Sequence, residues 1–468
     1  MKVKIGLEIH VHVNSKSKLF CSCPTNYENA EPNELTCPIC LGFPGSKPKV
    51  NKKVIDSALM VAKALNCEIA RETFFSRKNY FYPDMAKNFQ ITQYEIPLAK
   101  NGFLELNEKK IRIRRVHVEE DPAKLIHVGG NITSAQYVLV DYNRSGIPLL
   151  EIVTEPDFES TKEVREFLSK LVSILEHLEI YDASKEAALR VDANISIEGG
   201  EKVELKNITG FANVEKALNY EIVRQQNLKK MGLAVERETR HFDSQTKSTV
   251  SLRKKEFEED YGYIFEPDLT KIEISEDWLK EIEKKMPELP EMKIRRFVES
   301  YGISEREAKI IVYTGKAFAD FFEECSKLYK NFGNIAKWMV VDLLKCLNWN
   351  KISIKESKVT PRSFVELLKL IDSGKITQRT AKEIIKEFVA TGKSPKEIVE
   401  EKGLSVLRED EKLKEIVEKV LKENERVVED YLKGNEKALN FLIGLVLKES
   451  KMKADPKKAR ELILKIIQ

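Results

Sequence analysis

The sequence predicts an α+β protein in which a mixed, largely antiparallel sheet domain precedes two all-α domains. Period-two alternation of apolar and polar residues, interleaved with helical periods, runs to about residue 275. A proline-marked break follows, "MPELPEMKIRRF" at 286–297, and beyond it nearly everything is helical, with Lys and Glu at i,i+4 spacing. Neither a G-x-G-x-x-G after a strand nor a G-x-x-x-x-G-K-[ST] is present, which argues against a doubly wound nucleotide fold.

The first element is "IGLEIHVHV" at 5–13. Ile5, Leu7, Ile9, Val11 and Val13 alternate with Glu8, His10 and His12, so a strand here sets a carboxylate and two imidazoles on one face. Helical periods mark 50–66, 160–180 and 211–232. "KKIRIRRVHVEED", "ANISIEGGEKVELKNI" and "TKSTVSLRKKE" read as antiparallel strands with one solvated face. A second break at "ISIKESKVTPRSF" (352–364) gives three domains: 1–285, 286–355 and 356–468. In the last, "ITQRTAKEIIKEF" and "KADPKKARELILKII" each place a short polar residue ahead of an amphipathic helix, with Pro456 near a helix start.

Bulk properties narrow the function classes. A chain of 468 residues carries roughly two to four domains. Its 79 basic and 75 acidic residues leave a net charge of only +4, which does not mark a general nucleic-acid binder. "MKVKIGLEIHVHV" has no apolar signal core, and no stretch approaches the length of a membrane span, so a cytoplasmic protein without a membrane association is expected. Seven cysteines in such a chain favour metal ligands or free thiols over disulfides.

Four of them, Cys21, Cys23, Cys37 and Cys40, form C-x-C-x13-C-x2-C in a loop at 20–45. Cys37-Pro-Ile-Cys40 is a knuckle that presents two sulfurs one tight turn apart. Four soft sulfurs suit tetrahedral zinc, with Zn–S near ~2.3 Å, and such a closed site is structural.

Two acidic stretches adjoin strand-like apolar residues: "HVEEDPAK" (117–124) and "VDYNRSGIPLLEIVTEPD" (140–157). Clustered acids usually form a solvated face. Next to Val118, Leu149 and Leu150 they would instead be buried, where unpaired carboxylates repel one another and a divalent cation relieves the repulsion.

At these residues the chain resembles the B subunit of the tRNA-dependent amidotransferases, the GatB family of the GatB/GatE superfamily. The strings that carry the resemblance are "IGLEIHV", "LFCSCP", "CPICLGFPGSKPKVN", "RKNYFYPDMAKNFQITQYEIPL", "DYNRSGIPLLEIVTEPD", "LRVDANIS", "VELKNI", "ERETRHFD" and "FEPDL". They cover the whole first domain, and the tail is similar to that family's helical and tail domains. The resemblance implies a cradle-shaped, kinase-like domain, a helical domain and a tail that reaches tRNA. It implies phosphorylation by ATP of the side-chain carboxylate of Glu-tRNA(Gln) or Asp-tRNA(Asn), then displacement of the phosphate by ammonia. It further implies that Glu8, His10, Glu120 (or its neighbour Glu119) and Glu151 hold Mg²⁺, or Mn²⁺, which tolerates an imidazole better. His12 shares the face but reads as structural. Lys78 and Arg144 are candidate phosphate partners, while Asp192, Asn194 and Lys206 are candidates to frame ATP.

The chain departs from the family pattern at Pro122-Ala123, at "DMAKNFQ" and at Gly262, where the family commonly has Ala-Gly, a Pro-Lys-Gly turn and Arg. The first alters the loop that aims Lys124, and the last leaves no side chain for a role of that Arg. No Ser/Gly-rich amidase core and no thiol with a histidine partner is present, so ammonia must come from elsewhere. The resemblance supplies an A-subunit amidase and a small C subunit, in a heterotrimer. The E-type relative carries an additional inserted domain, for which 468 residues leave no room. The basic segment 448–460 and Gly444 are candidate tRNA contacts. The alternative reading is a non-catalytic, zinc-containing tRNA-binding module, which would have no use for the acid–histidine set.

Overall fold

The computed structural model describes residues 1–467 apart from 107–108, 131–134, 184, 186–187, 244–245, 255–260, 403–409, 433 and 451–453. The chain divides into two compact units, Met1–Pro290 and Glu291–Gln468.

The first unit contains strands β1 (Val3–His12), β2 (Glu68–Ile69), β3 (Glu72–Thr73), β4 (Ser76–Asn79), β5 (Phe89–Thr92), β6 (Ala99–Leu106), β7 (Lys109–Glu120), β8 (Lys124–Val128) and β9 (Tyr137–Asp141). It continues with β10 (Pro148–Thr154), β11 (Leu189–Ile197), β12 (Val203–Thr209), β13 (Glu238–Asp243), β14 (Ser248–Lys254), β15 (Gly262–Phe265) and β16 (Ile272–Glu273). Nine of them form one sheet in the order β14-β13-β12-β11-β1-β10-β7-β6-β2. Its pairings are antiparallel except β12 with β13. The mixed, largely antiparallel sheet expected from the sequence is therefore present.

The helical periods become α1 (Lys52–Ala64), α2 (Thr161–His177) and α3 (Phe211–Lys230). Asn51 and Ser160 cap the first two, accepting from Lys53 N and Glu163 N. All three helices bury apolar stripes on one face of the sheet. That face is supplied by Ile5, Leu7, Ile9 and Val11 of β1, Val116 and Val118 of β7, Leu150 and Ile152 of β10, and Val191, Ala193 and Ile195 of β11. Each fully buried aliphatic chain contributes about 1.5–3 kcal/mol, so this face fixes the register and commits the intervening residues to the other face.

One irregularity decides what the other face displays. The pairing of β10 with β7 shifts between Val153 and Thr154, which places an extra residue in β7. Ile111 and Ile113 lie in the core on odd numbers, Val116 and Val118 on even ones. The bulge falls at the doubled Arg114-Arg115, and it turns His117 and Glu119 onto the polar face.

The second unit is helical from Pro290–Tyr301 to Pro456–Ile467. Thr377 caps the helix Gln378–Thr391, and Pro456 opens the last helix, as their cap signals predict. One apolar cluster extends from Ile294 through Val359 and Phe364 to Val399, so packing continues across 352–364. A separate cluster spans Leu413 to Ile463. The π-helix Met339–Leu343 joins Phe332–Trp338 to Leu344–Asn350. Among the described residues no helix is long and apolar enough to cross a membrane. Residues 451–453 of the basic 448–460 segment lie outside the described residues.

Candidate active site and metal centres

Three adjacent strands place five donors together on the polar face. His10 of β1 pairs across with Glu151 of β10, and Glu151 with His117 of β7. Glu8 and Glu119 lie one same-face step away on their strands. His10 Nε2 is 3.6 Å from Glu8, 3.8 Å from Glu119 and 3.5 Å from Glu151. His117 Nε2 is 3.5 Å from Glu119 and 3.3 Å from Glu151. Two overlapping triads result, Glu8–His10–Glu151 and His117–Glu119–Glu151, with donor atoms in each within 4.8 Å of one another. Glu151 is common to both.

Second contacts hold the carboxylates in place. Thr92 Oγ1 donates to Glu119 at 3.0 Å, and Arg115 donates to Glu151 at 3.3 Å. The Nδ1 atom of His117 is buried and has no hydrogen-bond partner among the described residues.

The electrostatics follow from burying three carboxylates around two imidazoles. Glu8 is pushed up to about 7 by burial and then by Glu151, with Asp192 adding and His10 opposing. Burial alone would depress His10, but the hydrogen bond and charge of Glu151, then Glu8 and Asp192, raise it to about 9. His117 also stands at about 9, because Glu151 and Glu119 outweigh burial. Burial would raise Glu151, yet the two imidazoles hold it well below the ordinary carboxylate range.

The donor set fits a divalent cation: mixed carboxylate oxygen and imidazole nitrogen suits Mg²⁺ less well than Mn²⁺ but accommodates either. Without metal the two imidazoles hold protons at neutral pH, and a cation must displace them. Mn²⁺ affinity should therefore rise from pH 6.5 towards 9, by up to about tenfold per pH unit for each proton displaced. Calorimetric titration across that range checks this, and a flat profile contradicts it. In the metal-free chain the sign reverses. Both folded values lie above the ordinary ~6.5, so the stability contributed by the imidazolium pairs is full below that pH and is lost as pH rises through 9.

The remaining sequence candidates divide. Glu120 does not join the cluster. It follows Glu119 onto the opposite side of β7, where it pairs with Lys87 and accepts from Ile91 N at 3.0 Å. Of the two neighbours, Glu119 is the one at the site. His117 was not among the sequence candidates, although "HVE" repeats on β7 the same-face pairing that "EIH" makes on β1. Asp192 lies opposite Glu8, and Asn194 opposite Gly6. Asn194 Oδ1 is buried without a hydrogen-bond partner among the described residues. Burial opposes the charge on Lys206, but Glu204, Asp192 and Glu8 raise its pKa. The Lys78 ammonium lies 4.7 Å from the centre of the Tyr261 ring.

Arg144 and His12 belong to a separate buried network. Asp121 is 2.7 Å from His12 Nε2, 2.6 Å from Arg190 and 3.3 Å from Arg144. Arg144 also donates to the carbonyls of Pro122 and Ala123, at 3.0 and 2.7 Å. The guanidiniums and His12 hold the Asp121 carboxyl far below its usual range, against burial.

Cys21, Cys23, Cys37 and Cys40 come together as their spacing predicts, with sulfurs within 4.8 Å of one another. Cys37 N donates to Cys40 Sγ at 3.1 Å, which closes the knuckle. Cys40 is held down to about 5 by the Cys21 thiol, against burial and with Lys18 assisting. Four such sulfurs can hold one soft metal ion.

The chain matches the GatB/GatE catalytic domain over residues 3–280 and the GatB domain over residues 320–467. It is similar along its whole length to proteins named as the B subunit of aspartyl/glutamyl-tRNA(Asn/Gln) amidotransferase. The relative from Sulfolobus acidocaldarius is 49% identical over 469 residues, covering 99% of both chains. Those from Saccharolobus solfataricus and Thermotoga maritima are each 46% identical, covering 99% of this chain and 99% and 98% of theirs.

Proposed function

The chain belongs to the GatB/GatE family, and on that premise we propose that it is the kinase and transamidase subunit of a cytoplasmic tRNA-dependent amidotransferase. Its substrates are ATP and a tRNA carrying Glu or Asp in place of Gln or Asn. Its partners are an A-subunit amidase, which releases ammonia from glutamine, and a small C subunit. The observation that carries this reading is the convergence of Glu8, His10, His117, Glu119 and Glu151 on one sheet face.

A free carboxylate resists nucleophiles because its charge repels them. In the proposed reaction a side-chain oxygen of the aminoacyl group attacks the γ-phosphorus of ATP, the bond to the β-phosphate oxygen breaks, and ADP leaves. Ammonia then attacks the acyl carbon, phosphate departs and a proton is lost, leaving the amide. Bound Mg²⁺ or Mn²⁺ supplies charge neutralisation and alignment of phosphate oxygens. Glu8, His10, Glu119 and Glu151 would hold it, with His117 completing the second triad. Thr92 and Arg115 orient Glu119 and Glu151, while Lys206, Asp192 and Asn194 extend the same face beyond Glu8 and are assigned to the nucleotide. Lys78 is kept as a phosphate partner. Arg144 is the weakest of the candidates, because Asp121 already engages it. The four cysteines hold structural zinc, and the helical tail reaches the tRNA.

The test is the reconstituted complex, offered Glu-tRNA(Gln) and Asp-tRNA(Asn) separately with glutamine and ATP. Formation of ADP and of the amidated aminoacyl-tRNA with at least one of them is expected. Binding of tRNA without ATP turnover would instead leave a non-catalytic binding module.

A further inference from the structure

Among the described residues, Lys18 is the largest charged side chain with no solvent exposure. Its stem passes beneath the loop that precedes β10: a Cβ on Gly146 would sit 3.4 Å from Lys18 Cδ and 3.5 Å from Cys40 Cβ. Its ammonium donates to Leu35 O at 2.9 Å and approaches Cys40 Sγ at 3.7 Å. Among the described residues no carboxylate lies within ion-pair distance of it.

A buried ammonium whose only neighbours were a carbonyl and neutral thiols would be strongly unfavourable, because nothing would replace the hydration it lost. The burial is accounted for if the sulfurs are thiolates. Four thiolates around one divalent ion carry a net double negative charge, and Lys18 is a buried cation against one of them. The backbone holds the lysine in register with the cluster: Lys18 N donates to Cys23 O at 2.9 Å, and Ser145 Oγ donates to Cys40 O at 3.2 Å.

We propose that Lys18 is the positioning residue of the four-cysteine metal centre, its ammonium fixing Cys40 Sγ and offsetting half the charge of the tetrathiolate. This rests on the metal reading of the cluster given above. The Leu35 contact is then the second anchor of the ammonium and not the reason for its burial.

The test uses the full-length chain and needs no catalytic readout. Zinc-loaded Lys18→Met protein should release its metal to a chromogenic chelator about 10- to 100-fold faster than wild type. Lys18→Arg, which keeps the charge, should stay close to wild type. In cobalt-substituted protein the sulfur-to-metal charge-transfer bands of Lys18→Met should move to lower energy, because a positive charge no longer stabilises the sulfur electrons. In reduced, metal-stripped protein the same substitution should destabilise less than in the zinc-loaded protein, since fewer of the sulfurs then carry charge. Lys18→Met protein that releases zinc at the wild-type rate with unshifted cobalt bands overturns the proposal. So does Lys18→Met that destabilises or fails to fold equally with and without metal, which would make the lysine a plain tie to Leu35. A wild-type chain that retains no metal overturns the metal reading itself, and the role of Lys18 with it.

Discussion

Replacing Glu151 by glutamine is expected to lower amidation by the reconstituted complex about 10³-fold or more while leaving tRNA affinity unchanged. Glu151 is the one residue common to both donor triads. Its carboxylate faces His10 at 3.5 Å, His117 at 3.3 Å and Arg115 at 3.3 Å. It stands on β10, between β1 and β7 in the sheet, and its neighbours Leu150 and Ile152 are locked in the core. The side chain therefore cannot be replaced from a nearby position without shifting a strand. Glutamine keeps the shape and loses the charge, so a collapse of turnover with intact folding isolates the electrostatic role. Glu155→Gln is the control: that acid pairs with the exposed Arg114, and its loss should not change the rate. Single-turnover ADP formation and tRNA binding, measured side by side, decide the matter. Turnover within a few-fold of wild type would remove the metal site from the reaction.

The largest effect on folding should come from Asp121→Asn, which is expected to destabilise the first unit by about 3–5 kcal/mol in denaturant unfolding. The loss has a definite origin. Arg190 and Arg144, at 2.6 and 3.3 Å from the carboxylate, would be left as largely buried cations facing a neutral amide. Asp157→Asn, which removes a bridge to the largely exposed Arg112, should do far less. The pH sign is equally definite. The folded-state pKa of Asp121 is depressed below the unfolded value near ~3.9, so its contribution is present above that pH and is lost only as pH falls towards the folded value. The stability gap between the wild-type and Asp121→Asn chains should persist at pH 5 and above and close only as pH falls below the unfolded value near ~3.9. A gap already lost at pH 5 would mean the aspartate is not held as described.

How far the sequence carried is seen residue by residue. Strand β1 was legible because its alternation is unbroken from Ile5 to Val13, and period two leaves no choice of face. The cysteine centre was legible because its ligands are close in sequence and of one chemical type. Strand β7 was harder. Its alternation changes phase at Arg114-Arg115, and only the pairing with β10 shows where the extra residue sits. That shift brings His117 and Glu119 to the site and turns Glu120 to the opposite face. The network around Asp121 was not legible at all, since its partners His12, Arg144 and Arg190 lie far apart in the chain and nothing local links them. The π-helix at Met339–Leu343 is likewise a packing outcome without a composition signal.

The position of β1 has a consequence for how the polypeptide is made. It lies far ahead in the chain of both its hydrogen-bonding partners, β10 and β11, which come from residues 148–154 and 189–197. During synthesis β1 must wait, unpaired and apolar along one face, until β10 and then β11 have followed it out. Synthesis at about 5–20 residues per second makes that delay roughly ten seconds or longer, a window in which early truncation products should be aggregation-prone and chaperone-bound.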